Sequence, residues 1–142
     1  TNARLDELSS AIGLAQLARL EPMLTERRML VSGYHERLRG LRDSSRLSWQ
    51  VLPDGSQHAN QSFSVLLHSK VNRAEVIETL VEQGIGCGVA TYSFAEIGTH
   101  EGCGSAPNAA VLHNQAVSLP LYIGMRSAEL DRVCDALAKA VH

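Results

Sequence analysis

Apolar residues recur through the first twenty residues of the chain, and their spacing predicts a helix over residues 5–20. Apolar residues cover most of the circumference of this helix instead of one narrow stripe. The two rows that run along it are Leu5, Leu8, Ile12, Ala15 and Arg19, and Ala11, Leu14, Leu17 and Ala18. A helix that is apolar on nearly all sides is buried on more than one side, so we expect it to contact another domain or another subunit.

Glu21 and Pro22 interrupt this pattern, because proline is accepted in the first turn of a helix but not in its interior. A second helix over residues 23–41 follows. It has apolar residues at three- and four-residue steps on one face and charged residues on the other, which is typical of a surface helix.

Two stretches with alternating apolar and polar residues, 47–52 and 62–67, predict antiparallel strands joined across a Pro53-Asp54-Gly55 turn. The alternation places Leu47, Trp49 and Val51 on one side of the first strand. Asn72 and Glu75 have the spacing of a capping box and predict a helix that ends at Gly84. The residues expected to face inward from that helix are Val76, Ile77, Leu80 and Val81.

The last part of the chain predicts a third strand over residues 85–90, a short helix over 107–115 and a fourth strand over 116–119. A final helix capped by Ser127 follows. Its inward residues are expected to be Leu130, Val133, Cys134, Leu137 and Val141. This order predicts an α+β fold in which a small mixed or antiparallel sheet is covered by helices on one face and preceded by two helices.

Composition limits the classes of function. The chain has 142 residues, 44% of them hydrophobic and 20% charged, and a formal net charge of −2. Lysine and arginine are dispersed with no aromatic residues between them, which disfavours nucleic-acid binding. No stretch approaches the roughly 18 apolar residues of a membrane span. The three cysteines have irregular spacing, which favours a reducing compartment, and therefore the cytoplasm, over a disulfide framework.

The candidates for chemistry lie at the amino terminus and in the connection over residues 91–106. Asn2 and Arg4 precede and enter the first turn of a helix, where free N–H groups favour an anion, although Asn2 also suits a simple N-cap. Tyr92, Ser93, His100 and Glu101 offer polar contacts to a ligand or are ordinary loop residues. The remaining histidines, His113 among them, have only generic interpretations as surface or boundary residues.

Metal and nucleotide motifs have little support. Cys87, His100 and Cys103 lack the closely spaced ligand pairs and the fourth ligand of a zinc site, and buried small hydrophobic residues are the simpler interpretation of the cysteines. Gly84, Gly86 and Gly88 surround a predicted strand, whereas a dinucleotide fingerprint needs its glycines between a strand and a helix.

Several motifs, in a fixed order, resemble the DegT/DnrJ/StrS-type aminotransferases, which are PLP-dependent enzymes of fold type I acting mostly on nucleotide-linked keto sugars. The matching segments are TNARLDELSSAIGLAQLARLEPMLTERR, QSFSVLL, LVEQGIGCGVATY, VSLPLYIGM and ELDRVCDAL. The resemblance spans essentially all of the chain. It implies that residues 1–142 are the C-terminal small domain of such an enzyme and that the large domain is missing, in line with a chain that does not begin with methionine.

The resemblance also implies roles for individual residues. Asn2 would bind the phosphate of pyridoxal 5'-phosphate in the other subunit of a homodimer, while Arg4 and Tyr92 would border the pocket for the nucleotide-sugar substrate. The lysine that carries the cofactor is expected in the missing domain, because Lys70 and Lys139 have polar surroundings. We therefore expect no catalytic residue, no metal and no covalently bound cofactor in this chain alone.

The chain departs from the family where many members have His-Tyr-Pro after the third strand, since Thr91, Tyr92 and Ser93 stand here. That departure leaves the identity of the sugar open. A PLP-dependent sugar dehydratase of the same family and a stand-alone, non-enzymatic module that dimerises and binds a small ligand remain as alternatives.

Overall fold

The computed structural model describes residues 5–98 and 106–142. The helices are α1 (Glu7–Leu17), α2 (Leu20–Arg37), α3 (Arg39–Asp43), α4 (Arg73–Glu82), α5 (Phe94–Ile97), α6 (Pro107–Gln115) and α7 (Ser127–Ala140). The strands are β1 (Leu47–Trp49), β2 (Phe63–Leu67), β3 (Gly88–Val89) and β4 (Ala116–Leu119). The predicted α+β fold with a small antiparallel sheet is confirmed.

The four strands form one sheet in the order β1-β2-β4-β3, and each neighbouring pair is antiparallel. The predicted pairing of the first two strands is confirmed, with Leu47 opposite Leu67 and Trp49 opposite Val65. The first strand is shorter than predicted, because its ladder with β2 ends at Trp49 and Val51 is 73% exposed. Pro53, which has no N–H to donate, follows two residues later.

One face of the sheet packs against α2, α4 and α7 to form the core. From the sheet, the core contains Leu47, Phe63, Val65, Leu67, Val117 and Leu119. The five inward residues predicted for the last helix are all buried, and α4 contributes Val76 and Leu80. The prediction that Val81 faces inward is wrong, since this residue is exposed on the outer side of α4.

Tyr34 of α2 connects this core to the end of β4. Its side chain is fully buried, its ring stacks on that of Phe63 at 4.6 Å, and its hydroxyl donates a 2.6 Å hydrogen bond to the carbonyl of Pro120. Burial raises the pKa of Tyr34 well above its ordinary value, so the hydroxyl remains a donor. The contact fixes α2 over the sheet through an aromatic residue with its polar end satisfied.

The first helix packs on none of this core. No residue of α1 is buried, and its large apolar residues are exposed. Asp6 caps the helix: its carboxylate accepts hydrogen bonds from the backbone N–H and the hydroxyl of Ser9. The helix breaks at Ala18 and Arg19, and α2 begins at Leu20, so that Pro22 lies in its first turn.

Capping residues were also predicted for α4 and α7. Asn72 caps α4 as predicted, accepting from the N–H of Ala74, while its own amide donates to Glu75 at 2.8 Å. Ser127 is not the cap of α7, as had been predicted. Arg126 takes that position with extended backbone angles, and the hydroxyl of Ser127 accepts a 2.8 Å hydrogen bond from Arg37 of α2 instead.

Glu129 in the first turn of α7 should make stability depend on pH. Hydrogen bonds from the side chain and backbone of Arg126 lower the pKa of Glu129 from 4.5 to about 2. A carboxyl with a lowered pKa stabilises the fold above its unfolded pKa, and this contribution is lost as the pH falls from 4.5 towards 2. The melting temperature of Glu129→Gln should therefore lie below that of the wild type at neutral pH, and the difference should shrink over this pH range.

Thermal unfolding followed by circular dichroism at a series of pH values measures that difference. Glu78→Gln on the exposed side of α4 is the matched control, because no hydrogen bond or ion pair of Glu78 is found in the part of the chain that the structure describes. A gap between wild type and Glu129→Gln that is the same at every pH would contradict the assignment.

Candidate functional site

Tyr92 lies where the chain leaves the sheet and enters the short helix α5. The N–H of Ala90 donates to the carbonyl of Ala116 at 3.3 Å, which continues the pairing of β3 with β4 by one residue. Four residues after Ala90, α5 begins at Phe94. Because the sheet ends just before it, Tyr92 projects from the rim of the fold with 66% of its surface exposed.

The ring of Tyr92 packs against His113, in the last turn of α6. The ring centroids are 5.9 Å apart and the planes are inclined by 52°. His113 is half-buried, and its Nδ1 accepts a 3.4 Å hydrogen bond from the N–H of Ser93. Its carbonyl accepts a hydrogen bond from the guanidinium of Arg73, in the first turn of α4. His113 thus connects α4 and α6 to the segment that carries Tyr92.

Ser93 fixes the other side of this segment. Its carbonyl accepts hydrogen bonds of 3.1 Å from the N–H groups of Glu96 and Ile97, which start α5. The residue is only 3% exposed, and its hydroxyl has no hydrogen-bond partner in residues 5–98 and 106–142. The main chain on both sides of Tyr92 is therefore held by hydrogen bonds, while the Tyr92 side chain remains open to solvent.

The other residues predicted for the site lie outside the described residues. These are Asn2, Arg4, His100, Glu101 and Cys103. Of the residues predicted for the site, the structure thus describes Tyr92 and Ser93, which lie at one rim of the fold. His113 is the residue that the sequence analysis missed, since 20 residues separate it from Ser93 and no motif connects the two.

The lysines of this chain do not fit covalent attachment of a cofactor. Lys70 lies in the exposed turn before α4, and Lys139 lies on the exposed side of α7. A lysine that forms a Schiff base needs a desolvated or electropositive pocket that lowers its pKa, and neither position is shielded from water. Both lysines are thus exposed to solvent, and neither lies in a pocket of that kind.

The described cysteines behave as structural residues. Cys134 is buried on α7, and desolvation raises its pKa to about 12. Cys87 is half-buried, and burial raises its pKa as well. Neither thiol has the lowered pKa of a nucleophile. Within residues 5–98 and 106–142 no cluster of three or more potential metal ligands occurs, and no helix there is long and apolar enough to cross a membrane.

A cavity of about 420 Å³ lies at the opposite end of the sheet, between α2 and the connection from β1 to β2. The aromatic side chains that line this cavity already pack against other residues of the chain. The ring of Trp49 stacks on His35 at 4.6 Å and lies 4.6 Å below the guanidinium of Arg42. Burial and the charge of Arg42 lower the pKa of His35, so the stack is made by a neutral imidazole.

The profile of the DegT/DnrJ/EryC1/StrS aminotransferase family matches residues 1–138. The chain belongs to this family. Among its curated relatives is the dTDP-3-amino-3,4,6-trideoxy-alpha-D-glucose transaminase of Micromonospora megalomicea subsp. nigra, which is 29% identical over 148 residues, covering 99% of this chain and 38% of the relative. The resemblance inferred from the motifs is confirmed.

Solved structures of the family contain the same fold. DesV of S. venezuelae superposes with a TM-score of 0.83 at 27% identity, over 100% of this chain and 38% of DesV. The GDP-4-keto-6-deoxy-D-mannose-3-dehydratase of E. coli, solved with bound hydrated PLP, superposes with a TM-score of 0.80 at 23% identity, over 96% of this chain and 36% of the dehydratase. The chain therefore spans little more than a third of the length of the proteins it matches.

Proposed function

We propose that this chain is the C-terminal domain of a PLP-dependent aminotransferase that acts on a nucleotide-linked keto sugar, and that it is inactive alone. The observation that carries the proposal is the family match over residues 1–138, supported by the sugar transaminase from Micromonospora that is similar over 99% of this chain. Since 38% of that relative is covered, a preceding large domain with the cofactor lysine is part of the proposal.

Each candidate residue takes one role in the proposed enzyme. The side-chain amide N–H of Asn2 donates a hydrogen bond to the cofactor phosphate of the partner subunit in a cytoplasmic homodimer. Arg4 and Tyr92 line the pocket for the sugar. When bound, PLP stores the amino group between two half-reactions and supplies the electron sink that this chain lacks. The exposed Tyr92 side chain on a hydrogen-bonded main chain suits a pocket wall, because the segment is fixed while the phenol is free to contact a ligand.

The full-length protein tests this proposal by its visible spectrum. After reconstitution with PLP it should absorb in the visible range, lose that absorbance when L-glutamate is added, and regain it with an acceptor keto sugar nucleotide. Borohydride reduction should fix the cofactor to a lysine outside residues 1–142. The isolated chain is the control, and covalent attachment of PLP to Lys70 or Lys139 would contradict the proposal.

A sugar dehydratase is the second candidate, favoured by the fold shared with the E. coli enzyme. The products separate the two. An aminotransferase returns the sugar nucleotide with a new amino group, whereas a dehydratase returns it with one hydroxyl fewer and no added nitrogen. Borohydride would also fix no cofactor to the protein in a dehydratase whose lysine is replaced by another residue.

A further inference from the structure

The position of His113 gives it a free hydrogen-bond donor beside Tyr92. The N–H of Ser93 donates to Nδ1, so Nδ1 holds a lone pair and the proton of the neutral ring is on Nε2. No hydrogen-bond partner of Nε2 is found in the part of the chain that the structure describes. Because Nδ1 accepts this hydrogen bond, Nε2 carries the proton and can act as a hydrogen-bond donor.

Hydrogen bonds of the surrounding main chain also fix the position of His113. The carbonyl of His113 accepts from the guanidinium of Arg73, and the N–H of Ala90 donates to Ala116 three residues after His113. The ring centroids of His113 and Tyr92 are 5.9 Å apart, so that one ligand the size of a hexose ring can contact both side chains. Both side chains sit on main chain that is held by hydrogen bonds.

We propose that His113 is a second substrate-binding residue, whose Nε2–H donates to a hydroxyl or carbonyl oxygen of the sugar that Tyr92 contacts. This inference rests on the proposed function, because the sugar pocket at Tyr92 is part of that proposal. A neutral N–H suits an uncharged sugar oxygen, whereas phosphate groups are bound best by cations. The guanidinium of Arg73 already donates to the carbonyl of His113, which favours the sugar over the diphosphate as the group bound here.

Nuclear magnetic resonance of the chain tests the tautomer without any substrate. In ¹⁵N-labelled protein at mildly alkaline pH, correlation of the ring nitrogens of His113 with its carbon-bound protons should show a protonated Nε2 and an unprotonated Nδ1. His113→Gln supplies the assignment of the signals. A ring protonated on Nδ1 would overturn the inference, since Ser93 would then have no acceptor and Nε2 would not be a donor.

Two substitutions in the full-length enzyme separate the two nitrogens. His113→Asn places an amide oxygen near the position of Nδ1 and removes the outer donor, whereas His113→Gln places an amide N–H near the position of Nε2. With dTDP-3-amino-3,4,6-trideoxy-α-D-glucose as the amino-group donor to the PLP enzyme, His113→Asn should raise KM about tenfold or more. His113→Gln should change KM less than about threefold, because one hydrogen bond to the sugar is retained.

The reaction with L-glutamate distinguishes this inference from the proposed function. Both variants should melt within a few degrees of the wild type, so that a change in KM is not a loss of folding. Equal KM values for wild type and His113→Asn, or equal losses in both variants, would overturn the role of His113 and leave the aminotransferase proposal intact. A wild-type enzyme that fails with L-glutamate would overturn both.

Discussion

A variant with Leu8 and Ile12 both replaced by lysine is expected to be monomeric at concentrations at which the wild-type chain self-associates. These side chains are 72% and 55% exposed on α1, a helix with no buried residue. Burying a leucine or isoleucine side chain fully is worth about 1.5–3 kcal/mol, and α1 presents several such side chains to water. In the 142-residue chain, we expect the same helix of a second copy to cover them.

Sedimentation velocity over a concentration series measures this association, and thermal unfolding shows what the substitutions cost. Because α1 contributes nothing to the core, the free energy of unfolding should change by less than about 0.5 kcal/mol. The matched control adds the same two charges at the exposed polar positions Gln16 and Thr25 and should still self-associate. A wild-type chain that sediments as a monomer at every concentration would show that α1 tolerates exposure.

The sequence correctly predicted those elements in which the pattern of apolar residues matches the residues that are buried. In α7 the five inward positions follow one helical face, and all five are buried. The fourth strand, Ala116–Leu119, has the predicted bounds, since Gln115 ends one helix and Pro120 follows the strand. Here the local pattern and the tertiary contacts favour the same structure.

The predictions failed at the ends of elements, where partners distant in the chain decide. Val51 continues the alternation of β1, yet the ladder with β2 ends at Trp49. Ser127 has the chemistry of an N-cap, but its hydroxyl accepts from Arg37, 90 residues away, while Arg126 takes the cap position. Val81 is apolar, but Val76 and Leu80 already occupy the side of α4 that faces α7 and the sheet.

The candidate site shows the same division. The role of Tyr92 was predicted through the family resemblance and stays a prediction, while the structure shows its side chain exposed at the rim of the fold. His113 carries no motif, and only the antiparallel pairing of β3 with β4 brings α6 beside the segment after β3. The contact between Ser93 and His113 depends on how separate elements pack together, so no local sequence pattern predicts it.

Replacing Asn2 by alanine in the full-length protein is expected to weaken binding of PLP about tenfold or more. A hydrogen bond to a charged group contributes roughly 1.5–3 kcal/mol, and the proposed contact joins the Asn2 amide to the cofactor phosphate. The loss should appear in a titration of visible absorbance with PLP, and saturating PLP should restore most of the turnover with L-glutamate. Asn2→Gln is the control that keeps the amide and changes only its reach.

The proposed function requires this chain to complete the cofactor site of its partner and not its own. Mixing subunits tests it most directly. One full-length copy carries Asn2→Ala and keeps the cofactor lysine, and the other keeps Asn2 and has that lysine replaced by alanine. If Asn2 acts across the dimer, each mixed dimer contains one wild-type site, so the mixture should show activity at limiting PLP that exceeds the sum of the two variants measured alone. A mixture no more active than that sum would contradict the account, because Asn2 would then act within its own subunit or not at all.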